Sequence, residues 1–130
     1  TLPGGPEHCH SLATLGRVLS RRAPERALAV LTRAEAVCRA VHGAGDVRLA
    51  AMAVEKAAAL AALDRPGEAL AALAGRERTL AGHAREERLA ALYALRAEAY
   101  LRLGRTTEAE ATRARARGWA AHAFGRGAGG

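Results

Sequence analysis

Aromatic residues are nearly missing from this chain: Tyr93, Tyr100, Trp119 and Phe124 are all it has in 130 residues. A core without large rings must close on aliphatic and small side chains. Alanine dominates here, a strong helix former that buries little area. Asparagine is absent, and Lys56 is the one lysine among 20 cations. Two cysteines, Cys9 and Cys38, are too few for a disulfide framework. They are expected as reduced thiols in a cytoplasmic setting. No apolar run approaches a membrane span, and no signal peptide is visible. Alternation with period two is missing and β-branched residues are few, which excludes a sheet protein. The fold class expected is all-α.

What is present is a chain half hydrophobic, with a formal net charge of +7. Its length suits one domain that buries about two-thirds of its unfolded surface. The basic balance favours acidic partners or nucleic acid through long-range attraction. Arginine together with alanine and glycine is also what GC-rich codons yield. The first residue is Thr1 rather than methionine, so the chain is expected to be processed or part of a longer protein.

Residues 1–6 hold two prolines and two glycines and read as a disordered lead-in. Helical spacing then runs over 7–20, with Leu12, Leu15, Val18 and Leu19. Pro24 suits the first turn of a second helix that ends near His42, followed by a glycine-rich turn. Asp46 is an N-cap for a third helix over 47–63. A fourth is expected over 66–80, a fifth over 84–103 and a sixth over 106–124. Residues 125–130 read as a flexible glycine-rich tail. Short connections make these six helices three antiparallel hairpins, about 7–42, 46–81 and 84–124.

The strongest internal signal is repetition. Leu63, Arg65, Glu68 and Ala69 recur as Leu103, Arg105, Glu108 and Ala109, each set in a tight turn between alanine-rich helices. Ala57 and Leu60 precede the first turn as Ala97 and Tyr100 precede the second. Leu73 and Arg76, against Arg113 and Ala116, follow. A looser copy sets Ala27 at the turn, with Leu15 and Val18 before it and Leu31 and Ala34 after. This pattern of small and large residues around a Leu-Gly-x-x-x-Glu-Ala turn resembles the tetratricopeptide repeat, over residues 8–124. The turn alanines at 27, 69 and 109 give a period of about 41 residues, against about 34 for the usual repeat. The longer period is similar to the kinesin-light-chain-like subclass, whose bacterial members are often attached to kinases, signalling ATPases or transcription regulators.

The resemblance implies a short right-handed solenoid of three stacked hairpins whose continuous seam buries what one hairpin cannot. It implies a non-enzymatic interaction module, part of a larger regulatory or signalling protein, with the first helix of each hairpin lining a concave groove. The residues it places there are Leu12, Gly16 and Leu19; Ala51, Val54, Ala58 and Ala61; and Ala94, Glu98, Leu101 and Arg102. Such a groove is mostly apolar and suits an amphipathic helix or extended apolar peptide of a partner protein. The last helix is a cap, with Trp119 and Phe124 folding back on the preceding hairpin.

Other chemistry has weaker carriers. Cys9, His10, Cys38 and His42 offer zinc-type ligands if the first two helices are antiparallel, against the plain reading of a core cysteine and a helix-end histidine. Arg113, Arg115 and Arg117 are candidates for phosphate or acidic-partner contacts, with nucleic-acid binding the alternative function and a solvated cap the plain reading. A spacer or self-association role is the remaining alternative. Glu86 with Glu87, and Glu108 with Glu110, are carboxylate pairs expected in surface ion pairing. No phosphate loop or nucleophile motif is visible, and no cofactor is expected.

Overall fold

The computed structural model describes residues 6–83 and 85–129, with side chains placed for 8–83 and 85–118. Among these residues every regular element is a helix: α1 (Pro6–Arg22), α2 (Pro24–His42), α3 (Val47–Ala62), α4 (Pro66–Leu73), α5 (Glu77–Gly82), α6 (Glu86–Arg102) and α7 (Thr106–Gly129). None is long and apolar enough to cross a membrane. The expected lead-in falls almost wholly outside the described residues. So do the Trp119 and Phe124 side chains, with the packing expected of them. α7 continues to Gly129, across the stretch read as a tail.

The repeated turns are one device used twice. Arg65 N–H donates to the Leu60 carbonyl at 2.9 Å and Asp64 N–H to Ala61 at 3.0 Å. Arg105 N–H likewise donates to Tyr100 at 2.8 Å, and Gly104 N–H to Leu101 at 3.0 Å. These paired bonds satisfy the last carbonyls of α3 and α6 and need a left-handed residue, Asp64 at φ 56° and Gly104 at φ 77°. The arginine that closes one helix is the N-cap position of the next. Its guanidinium forks onto the glutamate three residues on, Arg65 onto Glu68 and Arg105 onto Glu108. Ala69 and Ala109 follow, fully buried.

One helix expected over 66–80 is two. The chain breaks at Ala74 and Gly75, where Gly75 has φ 75°, so that Leu73 and Leu80 are both buried from different axes. The first hairpin also departs from the aligned repeat. Its link is the single residue Ala23, with no left-handed position. The register therefore slips by one. Leu15 and Val18 are 47% and 56% exposed, while Gly16 is buried and Leu19 half-buried in their place. A Cβ on Gly16 would stand 2.5 Å from Leu31 Cδ2, so only glycine admits this approach of α1 to α2.

α3 is the central helix, and that explains why it is apolar nearly all round. It packs on α1, α2, α4, α5 and α6. Ala50, Val54, Ala57 and Leu60 join a core with Leu73, Leu80, Leu89, Leu92 and Tyr93. Leu49, Met52 and Ala59 join a second with Cys9, Ala27, Leu31, Ala34 and Cys38. Adjacent polar residues on α3 reach opposite ways: Lys56 bonds Glu35 of α2 at 2.9 Å, and Glu55 pairs with Arg88 of α6. Arg96 of α6 meets Glu77 of α5 at 2.7 Å.

Antiparallel packing of α1 on α2 sets Cys9, near the start of one, opposite Cys38, near the end of the other. Their Cα atoms lie 5.0 Å apart and the sulfurs are bonded. This corrects the expectation of two free thiols. The same helix geometry that suggested a Cys/His metal site joins the two sulfurs to each other.

Candidate binding cleft

One open cleft draws side chains from the first helix of each hairpin. It encloses about 290 Å³. α1 contributes Cys9, His10, Ala13, Thr14 and Arg17, and α3 contributes Val47, Arg48, Ala51, Met52 and Glu55. Arg85, at the N-cap of α6, and Arg88 in its first turn complete the lining. Local sequence explains the arrangement. On α1, residues 10, 13, 14 and 17 recur at helical spacing on the side away from Leu12, Gly16 and Leu19, which are turned toward the core. On α3, residues 48, 51, 52 and 55 recur at the same spacing, with Met52 reaching the cleft from the core of the first hairpin.

The cleft is apolar at its floor and cationic at its edges. Ala13, Ala51 and Met52 supply the floor. Four arginines stand against one carboxylate, Glu55, and that carboxylate is held by Arg88. Arg48 is turned to Asp46, the side-chain cap of α3, at 3.1 Å. Neither Arg17 nor Arg85 forms an ion pair with a described residue.

Of the residues placed in a groove from sequence, Ala51 lines this cleft. Gly16 and Val54 are buried, the latter 4% exposed within the core. Leu12 and Leu19 pack against the core of the first hairpin. Ala58 and Ala61 are half-buried farther along α3. Ala94, Glu98, Leu101 and Arg102 are exposed on the C-terminal half of α6, where Arg102 bonds Asp64 at 2.8 Å and Glu98 at 2.9 Å. Hydrogen bonding to these carboxylates raises the Arg102 pKa.

The metal alternative does not survive the geometry. Cys9 and Cys38 are spent on each other, and no group of three His, Cys, Asp or Glu residues among those described is placed to hold an ion. His10 lies on the cleft and His42 is half-buried at the end of α2. Arg113, Arg115 and Arg117 are all exposed on α7. Their spacing sets Arg113 and Arg117 on one face and Arg115 on nearly the opposite one. Arg115 lines a smaller hollow of about 220 Å³ with Tyr93, Arg96 and Tyr100. The three make no single cationic stripe.

Sequence reading passed over Arg17, Arg48, Arg85 and Arg88. The signal that could have found Arg17 and Arg48 is their sharing of a helical face with alanines rather than with leucines, whereas Arg85 and Arg88 stand one turn before Leu89 and Leu92 and carry no such signal. Compared with family models, with curated proteins and with solved structures, the chain matches none.

Proposed function

We propose that this chain is a non-enzymatic interaction module, a short stack of helical hairpins of tetratricopeptide-like type, that receives a segment of a partner protein in the cleft between α1, α3 and α6. The observation that carries the reading is that the first helices of all three hairpins line one open cleft. The packing order supports it: each hairpin rests on the next, α1 and α2 on α3, and α3 to α5 on α6. The two matched turns support it as well, because they reverse the chain by the same hydrogen bonds and set buried alanines at the same step. The Cys9–Cys38 bond favours an oxidising setting over the cytoplasm.

The test is to block the cleft. Peptides selected from a displayed random library against the whole chain should lose at least about tenfold in affinity toward Ala51→Trp, a loss of roughly 1.4 kcal/mol. Far-UV helicity and melting temperature should stay unchanged. Selected peptides that bind the variant as well as the parent, or a library that yields none, would remove the cleft from the proposal. Val54→Glu is unsuitable as a blocking variant, since Val54 is core and the change would test folding.

A further inference from the structure

Resting on the cleft reading above, we infer that its occupant is an acidic protein segment, one that lays an aliphatic side chain between carboxylates. The floor formed by Ala13, Ala51 and Met52 can take an aliphatic group, and the flexible thioether of Met52 adapts to its shape. Arg17 from α1 and Arg85 from α6 have no described acid to answer them. Two guanidiniums beside a small apolar floor present fork-shaped donors that match carboxylate geometry. The lining's own acid, Glu55, is taken by Arg88, so it does not repel an incoming carboxylate at full strength. The chain's net charge of +7 draws such a segment in from a distance.

Acidic protein fits this cleft better than nucleic acid does. Among the described residues no Phe, Tyr or Trp lines the cleft, and the His10 imidazole alone is a poor stacking platform for successive bases. The arginines of α7 do not extend the cationic edge into a backbone track, because they point to different sides. At about 290 Å³ the cleft lies at the small end of ligand sites, a size for a few side chains.

Fluorescence anisotropy on the full, oxidised chain tests the inference with a labelled Glu-Glu-Leu-Glu-Glu peptide. Binding should be measurable and should weaken severalfold as salt rises from about 50 to about 200 mM. The double variant Arg17→Gln, Arg85→Gln should lose at least about tenfold. The Gln-Gln-Leu-Gln-Gln peptide should bind at least as poorly. Equal binding of the glutamine peptide would overturn the acidic occupant and leave the cleft reading standing. Undetectable binding of the glutamate peptide would overturn the inference in the same way. Unchanged affinity in the double variant would overturn the assignment to Arg17 and Arg85. Displacement of the peptide by a single-stranded oligonucleotide of equal charge, at equal or lower concentration, would replace protein by nucleic acid as the occupant. Binding indifferent to Ala51→Trp would bring down the cleft reading itself.

Discussion

Gly16 decides how the first hairpin packs. It faces Leu31, which is fully buried. Alanine at position 16 gains roughly 1 kcal/mol of helix propensity. It also forces a methyl to within 2.5 Å of Leu31 Cδ2 and 2.6 Å of Cγ, which only a shift of helix or side chain relieves. Overpacking of that kind costs about 1–3 kcal/mol and outweighs the propensity gain. Gly16→Ala should therefore lower the urea midpoint. In a Leu31→Ala background the clash partner is gone, and the same change should raise stability by up to about 1 kcal/mol and the midpoint with it. A substitution that destabilises in both backgrounds would show that the approach is not limited by Leu31. From sequence this glycine was placed in a groove, because the alignment on Ala27 put Leu15 at the close-contact position. The single-residue link through Ala23, against three residues in each of the other two turns, is what moved it, and nothing in residues 20–24 announces a register slip. The structure turns Gly16 and Val54 toward the core and leaves Ala51 on the cleft, a difference that spacing hides for a related reason. In an alanine-rich helix the core side and a small-residue surface differ by few methyl groups, so apolar spacing on α3 cannot tell Val54 inside from Ala51 outside.

At the scale of the element, the turns were legible because their chemistry is local. A left-handed residue, an arginine and a glutamate at fixed offsets suffice to reverse the chain, and all lie within six residues. The break between α4 and α5 was not. Gly75 was taken into a continuous helix because a single interior glycine is tolerated, and only the burial of both Leu73 and Leu80 demands the bend. The turns make two predictions. Gly104→Ala puts a Cβ at φ 77° and should cost about 1 kcal/mol. Asp64→Gly relieves the same strain in the other copy, and its lost pair with Arg102 is a solvent-screened surface pair of little weight. It should leave stability unchanged or raise it by up to about 1 kcal/mol. Chemical denaturation of both variants checks the opposition of sign. The Arg65 fork adds a pH signature. Hydrogen bonding from Arg65 holds the Glu68 carboxyl below the usual carboxylate range. A folded pKa below the unfolded one contributes stability above the unfolded value and loses it as pH falls through the folded value. The small gap between the parent and Glu68→Gln should therefore close in acid. A gap that persists at pH values where Glu68 is protonated would assign it to something other than the charge.

For the whole molecule, stability is shared unevenly along the stack. α3 to α6 enclose a core with leucines from four helices, whereas the first hairpin closes on Leu31, Leu49, Met52 and small residues, with Leu12 and Leu19 only partly buried against them. Few large side chains means little buried area per residue, and α1 packs chiefly on α2 and α3. The Cys9–Cys38 bond lies where that shortfall is greatest. It spans 29 residues of sequence, and cross-linking a loop of that length removes about 3–4 kcal/mol of chain entropy from the unfolded state. Against a typical total of about 5–15 kcal/mol that is a large share. The cysteines were visible in the sequence, but their pairing depends on the antiparallel register of two helices, which no spacing within either one reveals. Reduction with dithiothreitol should lower the melting temperature of the parent chain, and Cys9→Ala with Cys38→Ala should show the same lowered value in oxidant and reductant alike. Because one cleft wall rides on α1, the loss should be local before it is global. Amide hydrogens of α1 should exchange faster on reduction while those of α3 and α6 keep most of their protection. Uniform loss of protection along the chain would mean instead that the hairpins unfold as one unit, and that the bond holds the entire stack rather than its first layer.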